Sequence, residues 1–206
     1  MMRVFIVPGV LGVWLVAAWQ SSAAFAPDAE PSEPPGIQRA ALDPPPVEVE
    51  AVVPAPCGDV WRAWTSTAGL RAWFSENADV ELRIGGRFEI LFSADAPPGE
   101  RGSEGCTVLS YLPNEMLSFS WSAPPKFAHA RPRHTWVVVR FEPIGARQTR
   151  VRLVHLGFAD RAAEFPAHAG EWREVRAYFA SAWPRVLKSL VQHVESRNLD
   201  RPRPTP

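Results

Sequence analysis

One amphipathic segment near the carboxyl end constrains the fold of this 206-residue chain more than any other feature. Between positions 168 and 195, large apolar side chains recur at spacings of three and four residues: Trp172, Val175, Phe179, Trp183, Val186, Leu190 and Val194. This spacing predicts one long helix with a buried face and a solvent face. Pro184 lies inside the segment, removes one backbone hydrogen bond and predicts a kink near Ala180.

The middle of the chain shows the two-residue period of β-strands. Over 47–53, Val and Ala alternate with Glu and predict a half-buried strand, which Pro54 and Pro56 end. Two short helices are expected next, one with Asp59 in its first turn and one over about 68–73. The alternation then returns in further segments, with a turn or bulge at the paired glycines 85–86: 80–84, 88–92, 106–112, 117–121, 137–141 and 151–155.

Two predicted loops are long. They cover 93–105 and 122–134, and both contain prolines. Long loops in compact domains are commonly functional, so both are candidates for a binding region. The sequence does not decide whether 122–134 acts as a lid over such a binding region.

The first 26 residues have the order of a secretory signal. Arg3 precedes sixteen uncharged, mostly apolar residues over 4–19, and small residues follow over 21–24. We expect export to the periplasm or the extracellular space, with cleavage after Ala24. The alternative is an uncleaved membrane anchor, although a helix of that apolar run would extend only about 24 Å, short of the roughly 30 Å hydrocarbon core.

Proline-rich, polar segments flank the expected domain. Residues 27–46 contain seven prolines and few large apolar groups, and they predict an extended linker. Residues 198–206 are similar and predict a disordered tail. The folded domain is therefore expected over 47–197.

The charge balance argues against a nucleic-acid partner. Lys plus Arg equals Asp plus Glu at 22 each, and the basic residues are scattered. A membrane contact is expected only if the N-terminal segment stays uncleaved. Nine Trp and eleven Phe are many for this length, and they favour a large core or an aromatic-lined cavity.

Metal and cofactor motifs are absent from the sequence. The five histidines, at 129, 134, 155, 168 and 193, show no metal-ligand spacing with one another or with Cys57 and Cys106, and no phosphate or dinucleotide loop occurs. In an exported protein the two cysteines could form a disulfide or remain separate buried thiols, and the spacing does not decide between these. Glu164, His168 and Glu171 have near-helical spacing, which is more typical of capping or solvated groups than of catalysis.

The succession of several short motifs resembles a known family. The motifs are Val-Glu-Val-Glu-Ala-Val-Val-Pro-Ala-Pro over 47–56, Val-Trp-Arg-Ala-Trp-Thr over 60–65, Trp-Phe at 73–74, Leu-Arg-Ile-Gly-Gly-Arg-Phe over 82–88, Leu-Ser-Phe-Ser-Trp over 117–121, Thr-Arg-Val-Arg-Leu-Val-His-Leu-Gly-Phe over 149–158 and Trp-Pro-Arg-Val-Leu over 183–187. In this order the chain resembles the family named after the activator of the heat-shock protein 90 ATPase, within the START-like (SRPBCC, birch-pollen-allergen-like) helix-grip superfamily. The resemblance covers about 150 residues. It implies an α+β fold in which a curved antiparallel sheet of about six strands wraps around the long C-terminal helix, with two short helices after the first strand.

The helix-grip resemblance also implies a tunnel between the sheet and the long helix. Six aromatic residues and one histidine are expected to bind a ligand there: Trp73, Phe88, Phe119, Trp121, His155, Phe179 and Trp183. Aromatic walls with few polar groups suit an apolar or aromatic ligand. The alternative is ordinary core packing that fills the tunnel.

His155 is the best polar candidate. By alternation it lies on the same face as Val151 and Leu153, towards the concave side of the sheet. A histidine in an apolar cavity can orient a ligand carbonyl or act as a general base. The alternative is a core histidine satisfied by its neighbours. No matched acid or base is evident, so no catalytic set is assigned beyond His155.

Three functions remain open at this point. The first is an exported carrier or sensor of a small hydrophobic molecule, without catalysis. The second is an enzyme of the polyketide cyclase or dehydratase type found in this superfamily, using His155. The third is a protein-interaction module of the chaperone-ATPase-activator type. The export signal argues against the third, because the chaperone is cytosolic.

Overall fold

The structure is a computed structural model that describes residues 43–199. In chain order the elements are β1 (Val47–Val53), α1 (Cys57–Thr65), α2 (Thr67–Trp73), β2 (Asn77–Val80), β3 (Phe88–Leu91), β4 (Val108–Leu112), β5 (Met116–Trp121), β6 (Thr135–Gly145), β7 (Gln148–Leu156), α3 (Phe158–Glu164), a 3₁₀ turn (Pro166–His168) and α4 (Ala169–Leu199). The signal segment, nearly all of the linker and most of the tail lie outside the described residues. None of the helices within 43–199 is both long and apolar enough to span a membrane.

The main sheet has five strands in the order β1–β7–β6–β5–β4, and all neighbours are antiparallel. Alternating apolar residues of β6 and β7 are buried on one face, as the two-residue period requires. β7 lies between β1 and β6 and places His155 between Val47 of β1 and Val137 of β6. The expected α+β fold, with two short helices after the first strand and a long C-terminal helix, is confirmed.

β2 and β3 form a separate two-stranded antiparallel ribbon. The Phe88 N–H donates to the Cys106 carbonyl at 2.8 Å and joins the ribbon to the chain that enters β4. The prediction of a strand over 80–84 is wrong beyond Val80, where β2 ends. The chain turns at Gly85, where φ is 74°, and Ile84 is 72% exposed because the turn carries it away from the core.

α4 lies against the sheet through one buried face. Its buried side chains are Trp172, Val175, Phe179, Trp183, Leu187 and Leu190. The predicted face differs at two positions: Leu187 is buried where Val186 was expected, and Val186 and Val194 are only partly buried. α4 continues through Pro184 without a break. The kink near Ala180 stays a prediction.

α3 is a helix that the sequence analysis does not predict. Gly157 precedes it with φ 97°, and a Cβ at this position would lie 2.7 Å from the Trp136 ring. Both the left-handed backbone and the close approach require glycine. The turn at Gly157 redirects the chain from the end of β7 towards α4, whose Trp183 contacts His155 of β7.

Candidate functional site

A cleft of about 440 Å³ lies between α4, the end of β5 and the two long loops. Its volume falls within the roughly 300–1,000 Å³ typical of small-molecule sites. Seven of its 21 lining residues are aromatic: Trp73, Phe74, Phe92, Trp121, Tyr178, Phe179 and Trp183. The cleft therefore offers an apolar surface with large, flat side chains.

Four of the predicted ligand-binding residues line this cleft: Trp73, Trp121, Phe179 and Trp183. The Trp121 and Trp183 rings are 5.3 Å apart, and Trp183 stacks on Phe179 at 6.1 Å. On the opposite wall, the Trp73 indole N–H donates to the Ala63 carbonyl at 3.0 Å, which fixes the ring against α1. The structure thus brings residues from α2, β5 and α4 to one surface.

Phe88 and Phe119 do not reach the cleft. Both are fully buried, and their rings stack 4.0 Å apart with an interplanar angle of 18°. Trp64 of α1 stacks on Phe119, with the two ring centroids 6.4 Å apart. Around Phe88 and Phe119, core side chains fill the space between the sheet and the helices. The fold therefore contains both a packed core and a cleft.

His155 also lies beneath the cleft wall, with no exposed surface. Its Nδ1 accepts a hydrogen bond from the Trp183 indole N–H at 2.9 Å. Its Nε2 is 2.7 Å from the Thr135 hydroxyl oxygen, and that hydroxyl donates to the Trp121 carbonyl at 3.1 Å. An indole N–H can only donate, so Nδ1 is the acceptor and Nε2 carries the proton. Both ring nitrogens are satisfied.

Burial determines the protonation state of His155. Removal from water disfavours the imidazolium form and lowers the pKa to about 3, far below 6.5. The ring is therefore neutral over the physiological range. Of the two interpretations of His155, the contacts support a satisfied core histidine that orients Trp183.

Arg131 is a residue of the site that the sequence analysis missed. Its side chain is only 13% exposed, and its guanidinium donates to the carbonyls of Gly99, Ala123 and Gly102, the last at 3.0 Å. These carbonyls belong to both long loops, 93–105 and 122–134. Arg131 therefore joins the two loops that form one wall of the cleft. Backbone carbonyls carry no sequence signature, so only a buried arginine in a proline-rich loop could have pointed to it.

Gly102 lets the first loop lie against the ribbon. A Cβ at this position would be 2.1 Å from the Ile90 carbonyl oxygen. The Gly102 carbonyl also accepts from the Ser122 hydroxyl at 3.0 Å, at the point where β5 ends. This side of the cleft is set by close backbone contacts between the loop and the sheet.

Charged side chains lie at the rim. Arg101, Arg185 and Glu100 belong to the lining, together with the more buried Arg131. Phe92 is also at the rim. It is 57% exposed and packs on Phe74 at 5.8 Å, beyond the end of β3, where the predicted alternation had placed it on the face of Phe88. The cleft thus combines an aromatic floor with a polar, partly cationic mouth.

Other candidate groups do not converge. Glu164 pairs with Arg161 at 2.6 Å, and the Glu171 carboxylate accepts from the Ala130 N–H at 2.8 Å. Both are thus bound to other groups, and His168 stacks on His129 at 3.5 Å. Within 43–199, no group of His, Cys, Asp or Glu is arranged to hold a metal ion.

The two cysteines are free thiols in the structure. The Cys57 thiol donates to the Asn114 carbonyl at 3.1 Å, whereas Cys106 is buried. The disulfide that the sequence left open is therefore not formed.

The model of one protein family, described as activator of Hsp90 ATPase homolog 1-like protein, matches residues 54–195. The chain belongs to this activator of Hsp90 ATPase homolog 1-like family. The matched range contains every side chain of the cleft named above. The predicted resemblance is confirmed.

Solved structures support the same fold. Protein MLL2253 from Mesorhizobium loti is 24% identical, with a TM-score of 0.57 over 73% of this chain and 97% of the other. Protein NE0264 from Nitrosomonas europaea is 17% identical, with a TM-score of 0.54 over 75% and 96%. BH1534 from Bacillus halodurans is 20% identical, with a TM-score of 0.50 over 73% and 96%. No curated protein matches the chain.

Proposed function

We propose that this family member binds a small hydrophobic molecule in the cleft, as a carrier or sensor without catalysis, and that it acts outside the cytoplasm. The observation that carries the proposal is the cleft of about 440 Å³ with seven aromatic side chains in its wall. The proposed place of action follows from the signal-like first 26 residues.

The exposed aromatic surface at the cleft supports a ligand. Phe92 keeps 57% of its surface and Tyr178 keeps 37%, and both belong to the lining. Exposed aromatic groups beside a concave apolar surface cost free energy in water, which a bound apolar molecule would offset. An apolar or aromatic ligand would extend the ring contacts between Trp121 and Trp183.

The environment of His155 argues against the cyclase or dehydratase alternative. A general base must come within hydrogen-bond reach of the ligand and needs a pKa near the working pH. His155 has no exposed surface, both of its nitrogens have protein partners, and burial lowers its pKa to about 3. No second observation favours the chaperone-activator alternative, which also conflicts with the proposed export.

The test is a titration of the full chain with N-phenylnaphthylamine, a neutral aromatic probe whose fluorescence rises in apolar surroundings. We expect saturable binding at one site. Ala182 lines the cleft on α4, so Ala182→Phe should fill part of it and weaken binding at least about tenfold, as the loss of a well-filled apolar subsite does.

Ala177→Phe is the matched control, because Ala177 is exposed on the same helix and is not part of the lining. This variant should bind the probe as the wild type does. Melting curves of both variants separate loss of the cleft from loss of the fold. Equal binding by Ala182→Phe and Ala177→Phe, with both folded, would refute the proposal.

A further inference from the structure

We infer that the ligand is an amphiphile with an anionic group, and that the guanidinium of Arg185 binds this group at the mouth of the cleft. The inference rests on the proposed function, since it names the chemical class of the molecule that the aromatic wall would hold. It follows from the charged groups of the lining.

The lining contains three guanidinium groups and one carboxylate: Arg101, Arg131, Arg185 and Glu100. Two of the arginines are occupied. Arg131 donates to backbone carbonyls of both loops and lies 3.9 Å from the Glu104 carboxylate. Arg101 lies 3.6 Å from the same carboxylate and donates to the Ala96 carbonyl. Both serve to hold the loop in place.

Arg185 differs from these two. Within the described part of the chain, no carboxylate lies within 4 Å of its guanidinium, and its one hydrogen bond runs from Nη1 to the Ser181 hydroxyl at 2.7 Å. That bond, one helical turn back, restrains the side chain on α4. The other N–H donors of the guanidinium remain available.

The position of Arg185 suits a ligand with two different ends. Trp183, Val186 and Ser189 flank it on α4 and line the same cleft. A guanidinium matches the geometry of a carboxylate or sulfonate with two parallel hydrogen bonds. With the apolar body of the ligand on the aromatic wall, its anionic group would lie at the rim, where water still reaches it and the cost of desolvation is small.

A cationic ligand fits the lining less well. Aromatic rings can hold an ammonium group over their faces. Even with Glu104 counted beside Arg101 and Arg131, the arginines outnumber the carboxylates. Arg185, which has no carboxylate beside it within 43–199, would repel a cation at the mouth. The charge of the lining favours an anion.

The experiment compares two fluorescent probes with the same aromatic skeleton, anilinonaphthalene sulfonate and the neutral N-phenylnaphthylamine. Each is titrated into the wild type, Arg185→Gln and Lys188→Gln. Lys188 is an exposed cation on the same helix outside the lining, so its variant controls for the loss of one net positive charge. Melting curves confirm that all three proteins are folded.

We expect Arg185→Gln to weaken the sulfonate probe about fivefold or more, as loss of a charge-assisted hydrogen bond does, and to leave the neutral probe within about twofold. Lys188→Gln should change neither. High salt should reduce the preference of the wild type for the sulfonate. Equal weakening of both probes, or none, by Arg185→Gln would overturn the role of Arg185 while the neutral probe still supports a hydrophobic site. Absence of binding by both probes to the wild type would overturn this inference together with the proposed function.

Discussion

The Trp183 indole N–H donates to Nδ1 of His155 at 2.9 Å, across the interface between α4 and β7. Trp183 forms part of the cleft wall, whereas His155 has no exposed surface. The orientation of a cleft residue is thus set by a residue that the ligand would not touch. Thr135 extends the same chain of hydrogen bonds to the backbone of β5 at Trp121, the second tryptophan of that wall.

Replacement of His155 should destabilise the fold. His155→Leu leaves the buried Trp183 N–H without an acceptor, and an unsatisfied buried donor costs about 1–3 kcal/mol. Chemical denaturation should therefore show a lower free energy of unfolding at neutral pH. Thr135→Val removes the other partner of the ring and should cost a similar amount. Because the two groups share one network, the double variant should lose less than the sum. Strict additivity would contradict the network.

The stabilising effect of His155 should depend on pH. Its pKa is about 3 in the folded protein and about 6.5 when exposed, so below pH 6.5 the unfolded chain binds a proton that the folded chain does not. The neutral ring makes its full contribution to the free energy of unfolding above pH 6.5. Below that, the contribution declines by about 1.4 kcal/mol for each pH unit. His155→Leu lacks this decline.

The free energies of unfolding of wild type and His155→Leu should therefore converge between pH 6.5 and about pH 4.5. Burial also lowers the pKa values of His129, His134 and His193, which shift both proteins alike. The difference between the two proteins isolates His155. Parallel curves would mean that the ring is not held neutral by burial.

Arg131→Gln should loosen both long loops together. Glutamine cannot donate to the three carbonyls of Gly99, Gly102 and Ala123, and loss of buried hydrogen bonds to a charged group costs about 1.5–3 kcal/mol. Hydrogen exchange followed by mass spectrometry should accelerate in 93–105 and 122–134 alike. Arg152→Gln is the control, since Arg152 is half exposed beside Glu48 and should change stability by less than about 0.5 kcal/mol. Faster exchange in one loop alone would contradict the bridging role.

The two thiols should differ in reactivity. Cys106 is fully buried, and burial raises its pKa to about 11, whereas Cys57 is partly exposed with a pKa raised by the same cause. Iodoacetamide at about pH 8 should therefore modify Cys57 first and Cys106 only in the unfolded chain. Peptide mapping without reduction should find both positions unlinked. A peptide that joins Cys57 to Cys106 would show that the oxidised protein differs from this structure.

Much of the fold could be predicted because its signals are local. The alternation over 47–53 and the three-and-four spacing of α4 each reflect one buried face, and the structure has both elements within a few residues of the predicted bounds. The predictions of secondary structure are wrong where a turn at a single glycine changes the direction of the chain. The chain leaves the strand after Val80 and turns at Gly85, so Ile84 does not continue the strand. Gly157 precedes α3, a helix that no apolar periodicity in the sequence predicts.

The candidate site was predicted only in part. Trp73, Trp121, Phe179 and Trp183 line the cleft, but Phe88 and Phe119, with the same aromatic character and the same alternation, lie in the filled core. Alternation states which face of the sheet a residue occupies. It does not predict whether packed side chains or an open cleft lie over that face at a given position along the strand.

The sequence by itself determined the succession of elements, the buried faces of the strands and of α4, and the family, because all of these depend on residues that are close along the chain. The tertiary structure decided where the space between sheet and helix is filled and where it stays open. It also decided that His155 is bound on both nitrogens, that Arg131 joins two loops and that Arg185 has no carboxylate partner among residues 43–199. These properties depend on partners distant in sequence, several of them backbone carbonyls that every residue carries, so no local pattern specifies them.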